Sequence, residues 1–337
     1  MKTLLTGATG FLGGHVLDTL LRRGHSVVAT VRSEEKGRQI RASHADFSKE
    51  KLDYVVVPDI AAPGAFSNME LHGLEAVVHV ASPFHYNTTD VKKDLIDPAV
   101  LGTTGVLRSV KESYPEVTRV VITSSFAAIL NMGNVMSGTK KTYSEADWSP
   151  VTLEDGLANA NVAYVASKAL AEKAAWDFID TEKPNFTLST INPPMIYGPV
   201  KYHVKSLDSV NTSNQFLADV LSGKYKSGMP PTGFPLWVDV RDVALAHVLA
   251  IEKKEAAGKR FLTTAGYYKN GDLVKAVWNN FPELREKLPE EENWGLSEKP
   301  NLEPWGYDNS RAEKILGIQW TPYEKTVIDS VSSLIKG

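Results

Sequence analysis

The feature that most constrains the fold of this chain is the segment Thr6-Gly7-Ala8-Thr9-Gly10-Phe11-Leu12-Gly13, which follows a short apolar run and opens an amphipathic stretch. Glycines at 7, 10 and 13 have no β-carbon, so the backbone can turn tightly and a phosphate group can come close to it. A helix starting here would aim free N–H groups and the positive end of its dipole at the same point. The same loop also fits a plain turn that packs a helix on a strand. Its place at the first junction of an alternating pattern favours the phosphate-binding reading, with Thr9, Phe11 and Leu12 beside the three glycines.

That pattern runs through the first 200 residues or so. Val-rich, nearly continuous apolar runs at 2–6, 26–30, 53–57, 76–80 and 119–123 read as strands buried on both faces. Amphipathic stretches at 11–23, 34–45 and 91–112 read as the crossover helices that parallel strands require. A long helix at 162–181 and a strand at 186–191, ended by Asn192-Pro193-Pro194, add one more unit. The expected fold is α/β: a Rossmann-type doubly wound parallel sheet with a smaller C-terminal substrate-side domain. The boundaries are 1–198 for the dinucleotide-binding domain, with 238–265 returning to it, and 199–337 for the smaller domain. Within these, 240–254 reads as a helix with Asp239 as its N-cap, and 322–336 as a closing helix capped by Thr321.

Composition removes several function classes. The chain has 337 residues, a net charge of −3 and no cysteine. Thiolate catalysis, disulfides and cysteine metal sites are excluded. The 8 histidines show no metal-ligand spacing, so no metal is expected. Near-neutral charge gives no case for nucleic acid, and no apolar run approaches the roughly 20 residues of a membrane span. Met1 leads at once into the glycine loop with no room for a signal peptide, so a cytoplasmic location is expected. Oligomeric state, monomer or homodimer, stays open.

The end of the second strand discriminates between cofactors. An acid there would hold the ribose hydroxyls of NAD. This chain instead has Arg32, with Lys36 one helical turn on, and such cations suit the 2′-phosphate of NADP. Asp59, followed by Ile60 just after the third strand, is a candidate acceptor for the adenine amino group, though aspartate there also serves as a turn residue.

Tyr164 and Lys168 are four residues apart in the helix at 162–181, which puts them on one face. A phenol with a pKa near 10 is a poor acid or base at neutral pH, and a neighbouring ammonium favours its phenolate. Ser125, beyond the fifth strand, can present its hydroxyl to a substrate oxygen in the crevice at the strand ends.

With these pieces in order, the chain resembles the extended short-chain dehydrogenases/reductases, in particular fungal NADPH-dependent aldehyde and ketone reductases of the methylglyoxal reductase type. More distantly it is similar to plant dihydroflavonol and cinnamoyl-CoA reductases. The matching segments are the glycine loop, Val57-Pro58-Asp59-Ile60, His79-Val80-Ala81-Ser82-Pro83-Phe84, Ile122-Thr123-Ser124-Ser125, Tyr164 to Lys168, the run from Asn192 to Pro199, and Val238-Asp239-Val240-Arg241-Asp242-Val243-Ala244. The resemblance implies NADPH as cofactor and a small-molecule carbonyl as substrate. It also implies Ser125, Tyr164 and Lys168 as the catalytic triad, with cofactor contacts from Ala81, Pro194, Met195, Ile196 and Ser213. It places Phe84, Phe126, Met195 and Tyr197 around the substrate, an apolar set with no cation to hold a carboxylate. Many members of the wider superfamily carry an Asn on the fourth helix as a proton relay. The stretch 91–112 has none, and Leu101 stands at its middle. The competing readings are a sugar-nucleotide epimerase of the same fold, against which Arg32 argues, a non-catalytic dinucleotide sensor, against which the intact Tyr/Lys pair argues, and a steroid-type dehydrogenase/isomerase, whose membrane-seeking C-terminal segment has no counterpart here.

Overall fold

The computed structural model describes residues 1–335, apart from residues 63, 67, 68, 70, 82–89, 202–209 and 296–304 and the side chains of residues 160 and 161. In chain order the first elements are β1 (Lys2–Thr6), α1 (Phe11–Arg22), β2 (Ser26–Val31), α2 (Glu34–Ser43), β3 (Leu52–Val56), β4 (Ala76–His79), α3 (Asp97–Ser113) and β5 (Arg119–Thr123). The middle of the chain adds α4 (Met132–Met136), β6 (Lys141–Tyr143), α5 (Leu153–Ala158), α6 (Ala160–Glu182), β7 (Thr187–Asn192), β8 (Met195–Tyr197), α7 (Thr212–Leu221), β9 (Leu236–Asp239) and α8 (Val240–Glu252). The last part has β10 (Lys259–Leu262), β11 (Gly266–Tyr267), α9 (Asn270–Asn280), β12 (Trp305–Tyr307) and α10 (Tyr323–Ile335).

Seven strands form one parallel sheet in the order β10-β7-β5-β4-β1-β2-β3. Alternate residues of each strand feed opposite faces. Leu5, Val27, Val78 and Val121 pack with α1 and α8 on one side. Leu4, Val28, Val77 and Val120 pack with α3 and α6 on the other. Burial on both faces is why these strands read as unbroken apolar runs. The winding reverses between β1 and β4, and that switch point opens the crevice in which such sheets bind ligands.

Two glycines set the geometry at the crevice. A β-carbon on Gly13 would lie 1.9 Å from the Gly7 carbonyl oxygen, so only glycine lets α1 start this close to the loop. Gly7 has φ +75°, and a β-carbon there would lie 2.8 Å from the Ala81 nitrogen. In α2, Ser33 accepts the Lys36 N–H as N-cap, and Glu34 and Glu35 occupy the first turn, where the dipole favours acids.

The structure differs from the sequence reading in two ways. The stretch expected as one helix over 91–112 begins with a π-type turn, Lys92–Ile96, before α3. The region read as loose past residue 198 contains short strands: β9 pairs with β8 and β11, and β12 pairs with β6. Strands of two to four residues are too short for a hydrophobic period to show in sequence. Asp239 caps α8 by accepting the Arg241 N–H (2.7 Å), and it also accepts from the Thr326 hydroxyl of α10 (2.6 Å). Asp242 accepts both the backbone N–H and the hydroxyl of Thr321 (2.7 and 2.9 Å), so two acids at the start of α8 tie down the last helix.

Candidate active site

The glycine loop, the end of β2 and the end of β3 enclose a cleft of about 700 Å³. Gly7, Gly10 and Gly13 line it on one side, Arg32 and Lys36 on another, and Asp59, Ile60 and Ala81 complete it. Arg32 and Lys36 are exposed, and the nearby acids are engaged elsewhere: Glu34 accepts from the Tyr54 hydroxyl (2.9 Å) and Glu35 from Gln39 (3.1 Å). Among the described residues neither cation forms an ion pair with a carboxylate, and both line the cleft. Asp59 lines the cleft and also accepts the Ala61 N–H (2.9 Å), so it performs the turn role as well. At the switch point, the Thr6 hydroxyl meets His79 Nδ1 (2.8 Å) and accepts the Ala81 N–H (3.1 Å), which fixes the β4 end against the loop.

Ser125 follows β5 and caps a short turn, Phe126–Ala128, its hydroxyl accepting the Ala127 N–H (3.1 Å). Tyr164 and Lys168 lie on α6, half-buried, with Lys168 Nζ 5.7 Å from the centre of the Tyr164 ring. Burial lowers the Lys168 ammonium from 10.5 to about 8. Burial, and then the Lys168 charge, lower His79 to about 4, so its imidazole is neutral. Ser125 and Tyr164 share a second pocket of about 190 Å³ with Phe126, Leu130, Met132, Val165, Pro194, Met195 and Phe234. Among the described residues, none that lines it carries a formal charge. Lys168 borders a small space of about 20 Å³ with His79, Ser124 and Glu172.

The family model for "NAD dependent epimerase/dehydratase family" matches residues 3–262 of the chain. The chain belongs to the NAD-dependent epimerase/dehydratase family. Within this family it is 43% identical to ketoreductase azaE of Aspergillus niger, over 99% of this chain and 98% of that protein. It is 32% identical to the NADPH-dependent methylglyoxal reductase GRE2 of Saccharomyces cerevisiae, over 100% of this chain and 98% of that one. The crystal structure of Gre2 from Candida albicans in complex with NADPH matches with a TM-score of 0.90 at 34% identity, covering 100% of this chain and 99% of that one.

Against the family frame, the residues singled out by sequence fall in three groups. The loop glycines, Thr9, Phe11, Leu12, Arg32, Lys36, Asp59, Ile60 and Ala81 meet at the large cleft. Ser125, Tyr164, Phe126, Pro194 and Met195 meet at the apolar pocket. Others lie apart. Tyr197, expected on the substrate wall, is only 4% exposed, and its hydroxyl pairs with that of Tyr268 (2.9 Å). It shares a face of β8 with Met195, but two residues further along the strand it enters an aromatic cluster with Trp237 and Tyr268. Ile196 packs against the sheet core. Ser213, expected at the cofactor, lies in the first turn of α7, its hydroxyl accepting from Asn211 (2.8 Å), and lines neither cavity. Phe84 lies outside the described residues. Leu130, Met132, Val165 and Phe234 line the pocket without any sequence signal beyond being apolar near a candidate. Among the described residues no cluster of His, Asp and Glu could hold a metal ion, and no helix is long and apolar enough to cross a membrane.

Proposed function

We propose that this protein is an NADPH-dependent carbonyl reductase of the cytoplasm that converts small aldehydes and ketones to alcohols. The observation that carries the reading is the pocket in which Ser125 and Tyr164 stand among apolar walls, with no formal charge among its described lining residues. Such a pocket suits a neutral carbonyl with an apolar flank. A sugar nucleotide brings charge and many hydroxyls, for which the described lining offers only the Ser125 and Tyr164 hydroxyls, so the epimerase reading is disfavoured.

The cleft residues fit NADPH. The glycine cradle would hold the pyrophosphate, Arg32 and Lys36 the 2′-phosphate, and Asp59 and Ile60 would lie at the adenine. When bound, NADPH supplies the hydride. Ser125 donates a hydrogen bond to the carbonyl oxygen and holds it toward Tyr164. Tyr164 gives its phenolic proton to that oxygen as negative charge develops there. Lys168, charged below about pH 8, stabilises the phenolate that remains and would hold the nicotinamide ribose. In this scheme residues 1–198 and 238–265 serve the cofactor, and the rest of 199–337 serves the substrate.

The test is NADPH oxidation against a panel of aldehydes, diketones, bulky ketones and 2-keto acids. Turnover of the neutral carbonyls and poor use of the keto acids are expected, with NADH a weaker reductant. No oxidation with any member of the panel overturns the reading.

A further inference from the structure

Directly behind the candidate site lies a buried ion pair that the catalytic scheme does not use. Glu172 is on α6, one helical turn beyond Lys168 and two beyond Tyr164, and is 3% exposed. Its carboxylate receives six donors. One oxygen accepts from Arg260 Nε (2.7 Å), the Thr190 hydroxyl (2.9 Å) and Trp176 Nε1 (3.2 Å). The other accepts from the Ser124 hydroxyl (2.5 Å), Asn192 Nδ2 (2.6 Å) and the second Arg260 terminal nitrogen (3.3 Å). Arg260, from β10, is equally committed. Its remaining N–H groups donate to the carbonyls of Glu145 (2.9 Å), Asp147 (2.5 Å) and Ala128 (3.3 Å), and its guanidinium lies 3.7 Å from the centre of the Trp148 ring. All five donors of the fork are therefore used.

These bonds converge on one object, the turn that carries Ser125. Ser124, just before it, is held by Glu172. The Ser125 carbonyl accepts from Asn192 (3.2 Å), which itself donates to Glu172. Ala128, at the end of the turn, is held by Arg260. The ion pair thus grips both ends of the turn and fixes it to the helix that carries Tyr164.

We infer that Glu172, compensated by Arg260, is a positioning residue that sets the Ser125 hydroxyl at its working distance from Tyr164. The inference rests on the carbonyl-reductase reading. Glu172 touches neither substrate nor cofactor in it, and acts by holding one catalytic element against another. Glu172→Gln keeps the size but puts an NH₂ group where only donors point, so at least one bond to Ser124, Asn192 or Arg260 is lost and the turn shifts.

The experiment compares wild type, Tyr164→Phe, Glu172→Gln and Ser124→Ala. NADPH-binding sites are counted by fluorescence titration, and kcat is expressed per binding site. The primary isotope effect on kcat is measured with NADPH deuterated at the transferred position. For Glu172→Gln a fall in kcat per site of about 10²-fold is expected, because a displacement on the order of 1 Å near the chemistry costs that much. NADPH affinity should be little changed, and the isotope effect should rise as the chemical step becomes limiting. Ser124→Ala removes one hydroxyl and leaves the ion pair whole; a smaller fall with the same rise in isotope effect is expected. If Glu172→Gln lowers the number of binding sites while kcat per site and the isotope effect stay at wild-type values, the residue is only structural and the inference is overturned. If Glu172→Gln does not fold, Ser124→Ala decides: unchanged kcat and isotope effect overturn the inference. A wild type that reduces no carbonyl overturns the reading itself, whereas an active wild type with an inactive Tyr164→Phe and normal Glu172→Gln and Ser124→Ala overturns the positioning role alone.

Discussion

At the scale of single residues, the proposed reaction depends on a proton and a charge. Tyr164→Phe keeps the ring and deletes the hydroxyl proposed to give the proton. Turnover is expected to fall by about 10²–10⁴-fold, the usual contribution of a general acid, with NADPH binding retained in a fluorescence titration. Lys168 adds a pH dependence with a definite sign. Burial lowers its pKa to about 8, so the ammonium is present below that value and lost above it. NADPH affinity should therefore weaken as pH rises through about 8, and Lys168→Met should bind weakly at every pH. Titrations across that range that show constant wild-type affinity would remove Lys168 from the ribose. Tyr164 and Lys168 could be picked out as candidates because their spacing is local and their chemistry unusual, and Ser125 because it lies just beyond a strand end. Glu172 was illegible: its charge partner is 88 residues away, and an acid on a long helix looks like a solvated one until the fold buries it.

At the scale of elements, strands buried on both faces announced themselves as apolar runs, and the crossover helices by their length. The short strands did not, since β8 and β12 have three residues each and β11 two. Nor did the destination of Tyr197, because a strand's direction of travel into a cluster is a tertiary fact. The loop-to-helix junction can be tested directly. Gly13→Ala would drive a β-carbon into the Gly7 carbonyl and is expected to destabilise by about 1–3 kcal/mol in urea unfolding, with NADPH binding lost as the cradle opens. Gly105, inside α3, has no atom of the described residues within 4 Å of where its β-carbon would stand. Gly105→Ala should stabilise by about 0.8–1.0 kcal/mol from helix propensity alone, which separates a glycine required by contact from one that is merely tolerated.

At the scale of the whole molecule, the start of α8 and the last helix are joined by buried acids, and one of these gives stability its own pH response. Burial raises Asp242 from 3.8 to about 6, above its unfolded value. Its contribution to stability is then complete below about pH 4 and is lost as pH rises through about 6. Asp242→Asn should be more destabilising near pH 4.5 than near pH 7 in chemical denaturation; an equal effect at both would mean the carboxyl does not titrate in that window. The sheet itself has a kinetic consequence. Arg260 rides on β10, the outermost strand of the sheet on the β7 side. An end strand has one neighbour to hold it, and such elements open locally at lower free energy than the interior. If β10 frays, Glu172 loses its counter-charge while most of the core is still folded. Heating should therefore silence the enzyme before it melts: activity is expected to fade reversibly several degrees below the unfolding seen by far-ultraviolet circular dichroism, and amide exchange at 259–262 should quicken over the same interval. Activity and ellipticity lost at a single temperature would mean that the edge and the interior come apart together.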